Sequence, residues 1–250
     1  MPLRLNADAG ESYGTWTLGR DEELLPQVHL ANLACGFHAS DPDTLRTSVR
    51  LCRDLGVGIG AHPGYPDRVG FGRRHLACTP QEVENLVLYQ LGAIEACCRA
   101  EGVPLVYVKP HGALYHDMMA DPALLAALLN ATRLFNAELA LVVPALPDLS
   151  QVRYQAAEAG ITLWTEAFAD RAYQDNGLLV PRNQPGALLT RPEQLLQQAE
   201  ALARGLPLTS HSGQPLALQA DLLCVHGDHP ESLDTVKRIR ALLDTLDTSA

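Results

Sequence analysis

The residues able to do chemistry in this chain gather where short apolar runs give way to loops. They are Asn6 and Asp8; Asn32 and His38; His62; Lys109 and His111; Glu166 with Asp170 and Arg171; and His226 with Asp228. The set offers a carboxylate in Asp8, several imidazoles, and one of only two lysines, Lys109 and Lys237. Such groups can activate a water and steady a developing oxyanion. An aspartate with two histidines can also hold a divalent metal with open positions. The candidate ligands are dispersed and no HExxH occurs, so whether a metal is bound stays open at this stage. No G-x-S-x-G marks a serine nucleophile, and no G-x-x-x-x-G-K-[ST] gives the chain a Walker phosphate loop.

Taken one at a time, each residue has a structural explanation. Asn6 could satisfy a backbone group and Glu166 could pair with an arginine. His38, His116, His211 and His229 could be exposed loop residues, as could His29 and His75. Together they are harder to dismiss. Gathering so many ionisable groups at one end of a fold is costly unless something is bound or turned over there.

The elements that must position them follow one pattern. Alternation in Leu3–Asp8 puts Leu3, Leu5 and Ala7 on one face, Asn6 and Asp8 on the other. Further strands are expected at Val28–Cys35, Val57–Gly60, Leu105–Lys109, Leu139–Val143, Ile161–Phe168 and Leu222–His226. In VGIGAHPGYPDRVGFG, Gly58, Gly60 and His62 point the same way, and Tyr65, Asp67, Arg68 and Arg73 follow within reach of anything bound there. Tyr107, Lys109 and His111 share parity, as do Trp164, Glu166 and Phe168. Helices lie between the strands. Asp41-Pro42 and Asp121-Pro122 are caps, and Thr79–Glu82 and Thr190–Glu193 read as capping boxes. Residues 170–189 form a long excursion with no clear period.

Alternating strands and helices imply parallel pairing with right-handed crossovers. No GxGxxG follows the first strand, and small and polar residues share the strand faces. Both features favour a barrel interior over a doubly wound sheet. The expectation is one (β/α) barrel domain spanning residues 1–250, with seven parallel strands and the site at its C-terminal rim.

Composition narrows the partners. A net charge of -10 with no basic run argues against nucleic acid. No leader and no long apolar segment are read, so a cytoplasmic protein with no membrane span is expected. The six cysteines, at 35, 52, 78, 97, 98 and 224, form no CxxC pair and read as reduced core residues. Self-association is compatible with the sequence, which fixes no oligomeric state.

The runs LNADAGES, ANLACGFHASDP, GAHPGYPDRVGFGRR, VKPHGALYHDM, EAFADRAY and VHGD resemble those of the LamB/YcsF family, from Leu5 to Asp228. The resemblance implies a seven-stranded barrel related to carbohydrate deacetylases. It implies work beside two other subunits, B and C, in a complex that cleaves 5-oxoproline to glutamate at the expense of ATP. On that reading Asp8 or His62 is general base, and Lys109 and His111 steady an oxyanion or phosphate. Arg171 holds the substrate carboxylate, and Asn6, Asn32, His38, Glu166, His226 and Asp228 complete the substrate-binding wall. Two alternatives stay open: a stand-alone metal-dependent deacetylase or amidohydrolase, and a non-catalytic substrate-binding protein of the complex.

Overall fold

A computed structural model describes residues 3–225 and 230–247. His226 and Asp228 lie outside the described residues.

Seven strands close into an all-parallel barrel in the order β1 (Arg4–Ala9), β2 (Leu30–Ala34), β3 (Gly58–His62), β4 (Leu105–Val108), β5 (Ala140–Pro144), β6 (Leu163–Phe168) and β9 (Leu222–Val225). The last strand inserts between β6 and β1. A short hairpin, β7 (Leu208–Thr209) with β8 (Pro215–Leu216), stands apart from the barrel. The helices are α1 (Asp21–Leu24), α2 (Pro42–Leu55), α3 (Pro80–Glu101), α4 (Gly112–Ala120), α5 (Pro122–Asn136), α6 (Ser150–Ala159), α7 (Pro192–Ala203) and α8 (Pro230–Asp247). Among the described residues no helix is long and apolar enough to cross a membrane.

The alternation in the strands separates two cores. Outward residues such as Leu5, Ala7, Leu33, Ile59, Val108, Leu141 and Leu223 pack under the helices. Inward residues Leu30, Tyr107, Ala140, Val142 and Leu222 fill the barrel itself, with Trp164 against them. Arg4 closes the lower end, its guanidinium 4.1 Å above the Trp164 ring. A shift in register where β3 meets β4 pairs Ile59 with Leu105 but Gly60 with Tyr107. That bulge spends Val106 and turns Tyr107 inward. Gly60 then has to be glycine, because a Cβ there would strike the Tyr107 ring.

Caps set the helix starts. Asp41 accepts from the amides of Asp43 and Thr44, Asp121 from that of Ala123, and Thr79 forms a full capping box with Glu82. The expected box at Thr190 does not form. Pro192 starts α7 with Arg191 at the cap position and no side-chain cap bond. Proline, with fixed φ and no N–H to satisfy, opens a helix without that help. Helix α4, hidden by the Pro110-His111-Gly112 run, starts directly after His111. The excursion over 170–189 is held by bridges between Arg171 and Leu188 and between Tyr173 and Leu179.

Candidate active site

The strands deliver their inward polar residues to the C-terminal end, around a buried lysine. Lys109 Nζ lies 2.9 Å from Asp8 Oδ1 and 2.9 Å from Glu166 Oε1, and 3.3 Å from Cys224 Sγ. Burial by itself disfavours the ammonium; the charges of Asp8 and Glu166 outweigh it, and the Lys109 pKa is raised well above the ordinary value. The two carboxylates are fixed in turn. Asn32 Nδ2 donates to Asp8 Oδ1 at 2.8 Å, and Tyr107 donates its hydroxyl to Asn32 Oδ1 at 2.6 Å. Glu166 accepts from Asn6 Nδ2 at 2.8 Å and from the Tyr115 hydroxyl at 3.1 Å. Glu166 therefore pairs with a lysine rather than an arginine, and Asn6 serves a carboxylate rather than the backbone.

Beside this network stand three imidazoles. His62 Nε2 lies 3.3 Å from Asp8 Oδ2 and 2.9 Å from His111 Nδ1. His38 is not an exposed loop residue: it is buried and stacks flat on His111, with ring centroids 3.8 Å apart. Gly36 and Ser40, both with positive φ, turn its loop inward. Gly64 and Gly72 leave the room it needs, since a Cβ on either would collide with His38. Gln90, from α3, grips Gly64 through both its amide N–H and its carbonyl. Burial pushes His111 down to about 3, with the neighbouring His62 adding to the effect, and pushes His38 well below the ordinary range.

A cavity of 360 Å³ opens over these groups. Asp8, His62, Lys109 and His111 line its floor, and Tyr115, Phe168 and Arg171 its wall. Arg73 and Arg182, both exposed, give it a cationic mouth, with His116 beside them held neutral by burial and by the nearby arginines. Arg171 reaches the cavity, but its Nη2 donates to Val180 O at 2.7 Å and its Nε to Ala187 O. It thereby pins the excursion to the barrel. Of Tyr65, Asp67, Arg68 and Arg73, expected within reach of the site, Arg73 lines the cavity and the other three do not. Tyr65 is buried with its hydroxyl on Asp117, Asp67 pairs with Arg74, and Arg68 reaches Gly36 O and stacks on Tyr13.

Asp8, His62, Lys109, His111, Asn6, Asn32, His38 and Glu166 thus form one contiguous cluster. Sequence reasoning passed over Glu11, whose Oε1 lies 3.7 Å from His38 Nε2 and 3.9 Å from His111 Nδ1. It also passed over Tyr115, Arg182 and Cys224. Cys224 was legible, being inward by the alternation of β9. Tyr115 becomes so only once α4 is known, one turn beyond His111.

The LamB/YcsF family pattern matches residues 3–249. A protein of Chromohalobacter salexigens that bears the name of the A-type subunit of 5-oxoprolinase is 53% identical over 247 residues, covering 98% of this chain and 99% of that one. One of Pseudomonas aeruginosa, which carries the same name with the numeral 3, is 52% identical over 244 residues, covering 98% and 97%. Among solved structures, a lactam utilization protein from Thermus thermophilus superposes with a TM-score of 0.91 at 43% identity, over 99% of this chain and 98% of that one. With residues 3–249 matched, the chain belongs to the LamB/YcsF family.

Proposed function

We propose that this chain is the A-type subunit of an ATP-consuming 5-oxoprolinase, which opens the lactam of 5-oxo-L-proline to L-glutamate in a cytoplasmic complex with subunits B and C. The observation that carries the reading is Lys109, held as a buried cation between Asp8 and Glu166 on the floor of a cavity with a cationic mouth. The names of the relatives at about half identity point to the same substrate. Those names, which call each relative one subunit of an enzyme, also support a complex.

A five-membered lactam is unreactive, so its opening needs a driving force. Transfer of the ATP γ-phosphoryl group to the amide oxygen, releasing ADP, makes the ring carbon electrophilic. The chain has no Walker loop, so this step is assigned to the partner subunits. Water then adds to that carbon, giving up a proton to Asp8. Lys109 faces the negative charge that develops on oxygen. The carbon–nitrogen bond breaks, the ring nitrogen takes a proton, and a second water releases phosphate from the acyl phosphate left behind. One lactam, one ATP and two waters give glutamate, ADP and phosphate. Arg73 and Arg182 stand where the substrate carboxylate or the phosphoryl group would enter.

Glutamate release from 5-oxoproline tests the reading. It should require this chain, both partners and ATP together, and should fail when Asp8→Asn replaces the wild-type chain. Full turnover by the isolated chain would remove the need for partners. Undiminished turnover with Asp8→Asn would leave the chain a binding role only.

A further inference from the structure

His62 and His111 are each committed to a tautomer by the backbone. His62 Nδ1 is 2.7 Å from Lys109 O, and His111 Nε2 is 2.8 Å from Phe71 O. A carbonyl oxygen only accepts, so each of these nitrogens carries the hydrogen. A neutral imidazole has one N–H. The other two nitrogens, His62 Nε2 and His111 Nδ1, therefore both present lone pairs, and they face each other at 2.9 Å. Two lone pairs at that distance repel unless something positive lies between them.

The surroundings say what kind of positive species fits. Glu11 Oε1 and His38 Nε2 converge on the same spot, and donor atoms from all four residues lie within 4.8 Å of one another. Neither ring nitrogen of buried His38 has a hydrogen-bond partner among the described residues. A shared proton uses two atoms, whereas a tetrahedral cation uses four. Histidines that bind metals also characteristically donate their second nitrogen to a carbonyl or carboxylate, as His62 and His111 do here.

We propose that Glu11, His38, His62 and His111 form a binding site for a divalent transition metal of the zinc type, favoured by imidazole ligands. His62 Nε2, His111 Nδ1 and Glu11 are the core of the set. The planes of His38 and His111 are only 2° apart, so one cation cannot lie in both ring planes. His38 joins by turning out of the stack, a movement that breaks no hydrogen bond of its ring. The inference does not depend on which reaction the cavity serves.

The test is metal binding by the full-length chain after chelator treatment and buffer exchange. Calorimetric titration with Zn²⁺ should show one site, and Co²⁺ should develop visible ligand-field absorption. The Zn²⁺ Kd should rise at least about 10-fold in Glu11→Gln and more in a His62→Gln, His111→Gln double variant. Glu11→Gln is nearly isosteric and keeps the question answerable if the double variant does not fold. Absence of Zn²⁺ binding and Co²⁺ absorption in the wild-type chain would overturn the proposal. So would a Kd unchanged in Glu11→Gln and in a folded double variant, which would place the metal elsewhere. A wild-type chain showing instead one extra proton held between His62 and His111 by imidazole ¹⁵N resonance, and no metal, would assign the facing nitrogens to a proton.

Discussion

Replacing Lys109 by Met separates a catalytic charge from a structural one. The residue is 3% exposed, and methionine keeps much of the side chain's length and apolar stem. What is lost is the cation between two carboxylates, one of which, Glu166, has a fully buried side chain. Breaking a buried pair by removing one partner costs about 3–5 kcal/mol, because the remaining charge is left uncompensated. Asn6 and Tyr115 still donate to Glu166, and Asn32 still donates to Asp8, so the lower end of that range is expected. For a chain of this length each kcal/mol lowers Tm by roughly 2–4 °C, which puts the drop at roughly 6–12 °C. The fold survives, since domain stability is about 5–15 kcal/mol. Turnover of 5-oxoproline in the reconstituted complex should fall about 100-fold or more, as when an oxyanion-hole donor is removed. The double variant Lys109→Met, Glu166→Gln removes the stranded charge and should recover much of the lost Tm without recovering turnover. Melting and glutamate release are read on the same preparations. Turnover per folded molecule within a few fold of wild type in either variant would refute a catalytic role for the ammonium.

Gly60→Ala pushes a methyl into the Tyr107 ring and, through Tyr107 and Asn32, displaces Asp8. Such overpacking should cost about 1–3 kcal/mol by chemical denaturation and depress turnover as well. Arg182→Ala should raise KM for 5-oxoproline about 10-fold, the worth of one hydrogen bond to a charged group, and leave Tm unchanged; an unmoved KM would remove Arg182 from the substrate's path. Asp41→Ala should cost about 1–2 kcal/mol through loss of the α2 cap. Hydrogen bonds from the Gly14 and Thr44 amides hold the Asp41 carboxyl at about 2, below its ordinary 3.8. A depressed carboxylate stabilises the fold above its unfolded value and loses that effect as pH falls through the folded one. The gap between wild type and Asp41→Ala should therefore be constant from pH 7 to 5 and shrink between about pH 4 and 2.

Much of the barrel could be read from alternation alone. Placing Asn6 with Asp8, and Gly60 with His62, on the inner face needs only a period of two, and the pairing of β1 to β3 agrees. The β4 bulge did not disturb the parity of Tyr107 and Lys109, because both follow Val106. Three things were not legible. His38 stands among the site residues in the sequence, but its burial against His111 rests on the left-handed turns at Gly36 and Ser40. For Arg171, the sequence does not show that its Nε and Nη2 are held by the Ala187 and Val180 carbonyls of the loop over 170–189. Glu11 carries no periodic signal, sitting in a loop two residues past β1. Such contacts depend on how loops fold over one another, which local spacing does not encode.

Lys109 also bears on how the chain folds. It rises from the end of β4, yet its partners stand on β1, β6 and β9, spanning the seam where the sheet closes. Because β9 comes last and slots between β6 and β1, that seam stays open until residues 222–225 are in place. Until then two strand edges offer unpaired backbone groups, and the lysine remains hydrated. Pairings so distant along the chain form slowly. Burial of the Lys109 charge is thus tied to the docking of β9, and a molecule with every helix formed but an open seam would be both inactive and prone to edge-to-edge association.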